Sequence, residues 1–522
     1  MSKDRLKKRV NSGALHSRFI AFILRFMQAA GKGRRGSSIL QFQQDYMAKI
    51  FLFAMLLFCR LAGWSQSDTT TYQQFSVAQL QQDLDSIYLQ LQWNHPSLFA
   101  YYKKEEADAN FAQVRKAITR PMNRIEFIRL LSPFIALFGD GHTSVDVDFE
   151  SKELEQFAKG GGRFFPLGTV VIKGKLYAGR TDLTGTNIRN GDEIIALNGV
   201  KATTVVERLK QMWSADGEPN AIATAQRLFS YSLWVMYGWG SLVTVDYLQD
   251  GVAKKEVLQG LGREDFLKLT FNRGNPVRQL HLYPAYSLAV VEINTYGNVE
   301  KTNTFIDSCF AVIKEKGVKH VALDLRKNGG GNSFIGDYFI AHLSRKPYNT
   351  ISSKTWHLSP MVRQLKEDHW MKRSIEKSRN TYTPQGNFLV SPQFTAQQGA
   401  ALKDSSLFVD ASFYLFTSPR TYSSAHMTAM AVKCGSLGTI IGQPTGERLN
   451  LTGEILSYPA PNSGIKIVIP IASYTTACGT GQQVGVQPDH LVETTIDDFR
   501  TGRDPELAFL QKLIRNHSSN PL

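Results

Sequence analysis

The chain has 522 residues, 43% hydrophobic and 20% charged, enough for two or three domains around a sizeable core. Its formal charge of +15 is unevenly spread, with +10 on residues 1–65 and a mixed +5 on the rest. There is no basic helix and no basic stripe interleaved with aromatics, which excludes an electrostatic nucleic-acid binder.

Residues 1–46 form a basic leader with ten Lys/Arg and read as an over-extended start. Met47-Ala48-Lys49 then precedes an apolar run from Ile50 to Cys59, and Gly63-Trp64-Ser65 offers small residues for cleavage. Residues 47–65 therefore read as a secretory signal peptide, too short to span a membrane comfortably. The expectation is an exported protein, periplasmic or extracellular, that meets a membrane only through this segment if it stays uncleaved. Cys309, Cys434 and Cys478 remain after cleavage. Three cysteines allow at most one disulfide, and Cys434, inside a helical pattern, reads as a buried core residue.

From Ser76 to Gly139 the pattern is helical, with Leu80, Leu84, Ile87 and Leu91 on one face and further helices at about 105–118 and 124–138. This region ends in Gly139-Asp140-Gly141-His142, a tight turn that displays a histidine, the commonest general base. Residues 160–260 read as a smaller β-rich unit, with strands at 165–172, 175–180, 193–197 and 242–248 and a helix at 205–213. From Leu280 onward strands and helices alternate. A buried strand at 318–325 runs into Asn328-Gly329-Gly330-Gly331-Asn332, a glycine turn whose N–H groups could hold an anion. Its spacing is neither G-x-G-x-x-G nor G-x-x-x-x-G-K-[ST], and no H-E-x-x-H is present. No metal or organic cofactor is implied. Residues 350–400 read as an irregular surface excursion, and the end of the chain after about Arg515 as loose.

The stretch 413–446 carries the densest chemistry. A strand at Phe413–Phe416 leads through a polar turn to Ser423 and Ser424, which open a helix closed by Gly435. A serine there is either an ordinary N-cap or a nucleophile beside free backbone N–H groups.

Five segments in order, GDGHTSV at 139–145, GDEIIALNGV at 191–200, ALDLRKNGGGN at 322–332, TSPRTYSSA at 417–425 running on to IGQPTG at 441–446, and VGVQPDHLV at 484–492, resemble the carboxyl-terminal processing (tail-specific) serine peptidase family. The GDGH histidine is similar to that family's tricorn-core-related branch, and GDEIIALNGV resembles a PDZ domain. The resemblance implies an α/β fold with a ClpP/crotonase-like core, an N-terminal helical region (75–145), an inserted PDZ-like β-rich domain (160–260), a catalytic domain (270–500) and a C-terminal tail (501–522). It implies a serine endopeptidase acting on peptides or unfolded protein tails, with Ser423 as nucleophile and His142 as base. The oxyanion donors would be Ser424 together with Gly330 or Gly331. Arg448 stands where many members carry a base lysine, and an arginine cannot take a proton. Gln482 falls near the branch's acidic position, leaving Gln482, Asp140, Ser144 and Asp489 as candidates to orient His142. A non-catalytic peptide- or ligand-binding protein on the same fold is the alternative, motivated by Arg448 and Gln482.

Overall fold

The computed structural model describes residues 72–519 except 272–275 and 398–399. The basic leader and signal segment lie outside the described residues.

A sheet of six strands forms the centre, in the order His490–Leu491, Thr439–Gly442, Ser412–Thr417, His320–Asp324, Leu288–Ile293 and Arg278–Tyr283. The first five run parallel and Arg278–Tyr283 pairs antiparallel at the edge. Strands such as LAVVEI (288–293) and SFYLFT (412–417) are buried nearly throughout, as expected when both sheet faces are covered. One face is covered by the crossover helices Val299–Glu315 and Ser424–Gly435, with Phe310, Ile313, Ala429 and Val432 packed on Val291, Leu323 and Leu415. The other face is covered by Pro505–Ser519, whose Leu510 and Ile514 meet Val290, Phe416 and Ile441. The C-terminal segment is thus a packed helix, not a loose tail. Arg326 fastens its start by pairing with Asp324 (2.6 Å), Asp504 (2.7 Å) and Glu506 (2.7 Å).

A second sheet is antiparallel and is built on the long strand Lys466–Thr476. That strand pairs with Ser144–Val145, Leu451–Pro459 and Ile351–His357, and Phe388–Val390 and Thr383–Gln385 extend the sheet. Residues 350–400 are therefore no irregular excursion. Their polar, half-buried strands lack the apolar alternation that marks a strand in sequence, and their pairing partners lie far along the chain.

The helices Val77–Asn94 and Arg124–Ala136 each begin with a capping box, Ser76 with Gln79 and Asn123 with Glu126. They share a core with Ile467 and Ile469 of the second sheet. The third sheet runs Thr169–Ile172, Lys175–Ala178, Glu193–Leu197, Leu242–Gln249 and Val252–Gln259, with Val200–Lys201 paired to Glu193–Leu197. Three helices accompany it, Ala202–Lys210, Glu218–Arg227 and Phe229–Tyr237, where the sequence marks one. Phe229–Tyr237 is buried on nearly every side, so it shows no helical period.

Cys434 and Cys478 form a disulfide, which corrects the expectation of a merely buried Cys434. It ties the end of the helix Ser424–Gly435 to the segment after Lys466–Thr476. The sequence separation of 44 fixes the size of the closed loop, which on the chain-entropy account stabilises by at most about 4 kcal/mol. Replacing both cysteines by serine should lower the thermal midpoint without changing the far-ultraviolet circular dichroism at 25 °C; an unchanged midpoint would refute a stabilising bridge.

Candidate active site

The carboxyl ends of the parallel strands gather the site residues, the usual place for a site in such sheets. The strand His320–Asp324 leads into the glycine turn, and its neighbour Ser412–Thr417 leads into the turn that ends at Ser423. Hydrogen bonds to backbone carbonyls hold the two turns together. Ser418 Oγ donates to the Arg326 carbonyl (2.6 Å), Thr421 Oγ1 to that of Leu325 (2.8 Å), and the Tyr422 amide to that of Asn328 (3.1 Å).

Ser423 has φ 53° and ψ −126°, a conformation rare for a residue with a side chain. It costs on the order of 1–3 kcal/mol and persists only where the surroundings over-determine it. Here the Ser423 amide donates to Glu447 Oε2 (2.6 Å) and its carbonyl accepts from Met427 (2.9 Å). Its hydroxyl caps no helix N–H, so the N-cap reading does not hold for this serine. Instead Ser423 Oγ lies 3.2 Å from His142 Nε2. Residues 281 positions apart are thus brought into contact.

His142 is positioned from its other side by a residue that the sequence reading passed over. Glu447, fully buried, sets Oε1 3.2 Å from His142 Nδ1. The N–H direction lies off the line between the two atoms, so the contact is an ion pair more than an aligned hydrogen bond. The candidate orienting residues are engaged elsewhere. Asp140 accepts from His95 Nε2 (2.7 Å), Thr452 Oγ1 (2.9 Å) and the backbone N–H of His142 (2.8 Å), so it shapes the turn and not the ring. Asp489 pairs with Lys433 and accepts from the Ile440 amide (2.8 Å). Gln482 is exposed, and Ser144 lies in the strand Ser144–Val145. Glu447 directly follows the PTG turn at 444–446, and its place one residue before Arg448 was the available signal.

Arg448 has a structural task. Its Nη1 donates to the Gly139 carbonyl (2.6 Å) and pairs with Asp216 (3.2 Å), and its guanidinium stacks over the Tyr101 ring at 3.7 Å. Asp216 also accepts from the Gly141 amide (3.2 Å) and from the Tyr422 hydroxyl. Arg448 and Asp216 thereby clamp the Gly139–Gly141 turn that presents His142.

The glycine turn closes the other side. Gly330 (φ 106°) and Gly331 (φ 136°) adopt backbone angles that side chains avoid. A Cβ at Gly330 would stand 2.6 Å from Ser423 Cβ, and one at Gly331 would stand 2.4 Å from the Tyr296 carbonyl oxygen. Gly330 donates its N–H to Asn328 Oδ1 (2.8 Å), which removes it as an oxyanion donor. The Gly331 and Ser424 amides have no acceptor among the described residues, and Ser424 Oγ donates to the Gly331 carbonyl (2.7 Å), binding the two segments together. The arrangement opens on a cleft of about 1020 Å³ lined by His142, Gly331, Trp370, Ser423, Met427 and Ile455 among others.

Burial alone would lower the His142 pKa, but the negative charge of Glu447, with Asp140 and Asp216, overrides it and raises the pKa to about 9. Burial pushes Glu447 up to about 7 against the pull of His142. For this pair the charge-stabilised imidazolium is the direction that the geometry supports, since the carboxylate also accepts the Ser423 N–H. Among the described residues no group of three or more His, Cys, Asp or Glu is placed to hold a metal ion.

Residues 287–492 match the model of peptidase family S41. No curated protein matches the chain. Among solved structures, mature CPAF is similar with a TM-score of 0.60 at 13% identity, over 84% of this chain and 98% of that one. Mature CPAF complexed with lactacystin gives 0.59 at 14% identity over the same shares. At such identities these structures establish the fold alone. The S41 match covers the segment that carries the glycine turn, Ser423 and Glu447, and supports a serine-type peptidase.

A base that must be neutral to accept a proton works only above its pKa, and here that pKa is raised. Hydrolysis (kcat/KM) should therefore climb with pH beyond the range of an ordinary histidine. Glu447→Gln removes the charge that raises the pKa, so the climb should move to lower pH while the plateau rate falls by about two to four orders of magnitude. A pH–rate profile of the variant that keeps the wild-type midpoint would show that Glu447 does not charge the ring.

Proposed function

We propose that the chain is an exported serine endopeptidase in which Ser423 is the nucleophile, His142 the general base and Glu447 the residue that orients and charges the base. The observation that carries this reading is the buried line Glu447–His142–Ser423, with 3.2 Å at each step, opening on the large cleft. Ser423 Oγ attacks the scissile carbonyl carbon, and its proton passes to His142 Nε2. The imidazolium so formed faces Glu447. The oxyanion is held by the N–H groups of Ser424 and Gly331, donors without another acceptor among the described residues. His142 then gives the proton to the departing amine, leaving an ester on Ser423. Water enters, loses its proton to the same nitrogen and attacks the ester, releasing the new carboxyl terminus and the serine.

Peptides or unfolded protein tails are the substrates that suit an open cleft rimmed by Trp370 and Ile455, both about half exposed. Two features support export, the signal-like residues 47–65 and the Cys434–Cys478 disulfide, since such bridges persist in oxidising compartments. The binding-protein alternative rested on Arg448 and Gln482. With Glu447 at the imidazole and Arg448 holding the turn, neither residue argues for it.

A fluorophosphonate probe should label Ser423 in the wild type, as read by mass spectrometry of the modified peptide. Ser423→Ala should lose the label and peptide hydrolysis with an unchanged circular dichroism spectrum, and His142→Ala should slow labelling by at least a hundredfold. A label on another serine, or undiminished hydrolysis by Ser423→Ala, would overturn the assignment.

A further inference from the structure

Next to the catalytic cleft lies a smaller cavity of about 420 Å³. The two share Ile351 and Met427 in their walls. Met427 sits one helical turn after Ser423, whose carbonyl accepts its amide (2.9 Å). The lining takes Met427 from the first turn of the helix Ser424–Gly435, and Phe334 and Asp337 from the first turn of the helix Phe334–Ala341. Ser424 opens the first of these helices, and Gly331 stands three residues before the second. The cavity is therefore built from the two helix starts that follow the proposed oxyanion donors.

The walls are largely aromatic and aliphatic, with Phe334, Tyr348, Phe394 and Met427, and one acid stands among them. Asp337, half-buried, accepts from the Tyr348 hydroxyl through Oδ1 (2.6 Å). Its Oδ2 has no partner, and no cation stands beside it among the described residues. Loss of water around it pushes its pKa up against the pull of Tyr348. An acid in the first turn of a helix needs no special reason when it faces water, but this one faces rings. The cations that precede Tyr348 are engaged elsewhere. Lys346 Nζ donates to the Gly435 carbonyl (2.6 Å), and the Arg345 guanidinium lies over the Phe408 ring at 4.5 Å. The wall itself is braced. Tyr348 and Gln397 exchange backbone hydrogen bonds (3.0 and 2.9 Å), and Asn349 Nδ2 donates to the Phe394 carbonyl (2.9 Å).

We propose that Asp337 sets the specificity of the peptidase, the cavity taking a lysine or arginine side chain on the acyl side of the cut bond, with its charge on Asp337. The aliphatic stem of such a side chain suits Met427 and Phe334, and its head supplies the counter-charge that Asp337 lacks. Phe394 and Tyr348 add ring faces that attract a cation. An acidic side chain would meet a like charge, and a neutral one of the same length would cover Asp337 without pairing it. The side of the bond follows from His142. The leaving amine takes its proton from that ring, and His142 lines the catalytic cleft but not this cavity. The proposal rests on the reading of Ser423 as nucleophile, so binding is also measured where hydrolysis is removed.

The full chain is given internally quenched peptides that differ at one position, lysine or norleucine, placed on the acyl side of the cut bond or on its leaving side. Mass spectrometry identifies the bond. With the variable residue on the acyl side, kcat/KM for lysine should exceed that for norleucine by about thirtyfold or more, the low end of what a desolvated charge partner is worth. Asp337→Asn keeps an acceptor for Tyr348, and should bring the ratio to within about threefold of unity. That ratio does not depend on how much of the variant is folded. A wild-type ratio near unity, a lysine preference that survives Asp337→Asn, or a preference seen only on the leaving side overturns the proposal. Calorimetric titration of the Ser423→Ala chain with the same acyl-side peptides separates the two readings. If the wild type cuts neither peptide, the hydrolytic reading fails, and the cavity is decided by binding alone. Lysine binding at least tenfold more tightly than norleucine, with the difference lost on adding Asp337→Asn, supports the charge pairing; equal affinities, or no binding of either peptide, refute it.

Discussion

The buried carboxylate of Glu447 is the constraint around which the site is arranged. One oxygen accepts the amide of Ser423, whose backbone would otherwise relax from its strained angles, and the other faces the imidazole of His142. A fully buried carboxylate is expensive unless it is paired and hydrogen-bonded, and here the partners are Ser423 and His142, the two residues proposed to carry the reaction. The cost of burial and the strain at Ser423 are thus offset by the same contact. The same contact is what raises the His142 pKa: its counter-ion, Glu447, is fixed by the backbone N–H of Ser423.

The fold supplies the framework for that contact by converging three separate parts of the chain. Parallel strands bring the glycine turn and the Ser423 turn side by side, because neighbouring strands end at the same level. The second sheet brings His142 in from the side, through the pairing of Ser144–Val145 with Lys466–Thr476. Arg448 and Asp216 then lock the histidine turn, one from the catalytic body and one from the segment that precedes the helix Glu218–Arg227. An arginine at this position is a loss only if it is expected to act as a base. As a clamp, its fixed charge and several donors suit it better than lysine.

The same segment joins the β-rich part of the chain to the turn before Ser423. Asp216 touches Tyr422, the neighbour of Ser423, and Asn220 touches Pro419. The β-rich part of the chain is therefore in hydrogen-bonded contact at two points with the turn that carries Ser423.

Much of this was legible in the sequence where the signal is local. Apolar runs marked the central strands, capping residues marked the helix starts, and the glycine and serine turns announced themselves by composition and order. Ser423, His142, Ser424 and the pair Gly330 and Gly331 were singled out from those turns together with the family resemblance. Glu447 was not, because a carboxylate's role depends on which ring it meets, and His142 is 305 positions away in sequence. The Cys434–Cys478 bridge and the strands of residues 351–390 were missed for the same reason, since both depend on partners distant along the chain. The sequence alone determined the chemical inventory and the local elements, through the periodicity of burial and the backbone demands of glycine. Only the tertiary structure decided which carboxylate faces His142, what Arg448 contacts and which of two adjacent glycines keeps an N–H without an acceptor among the described residues. Each of these depends on distances of about 3 Å between groups that local sequence does not relate.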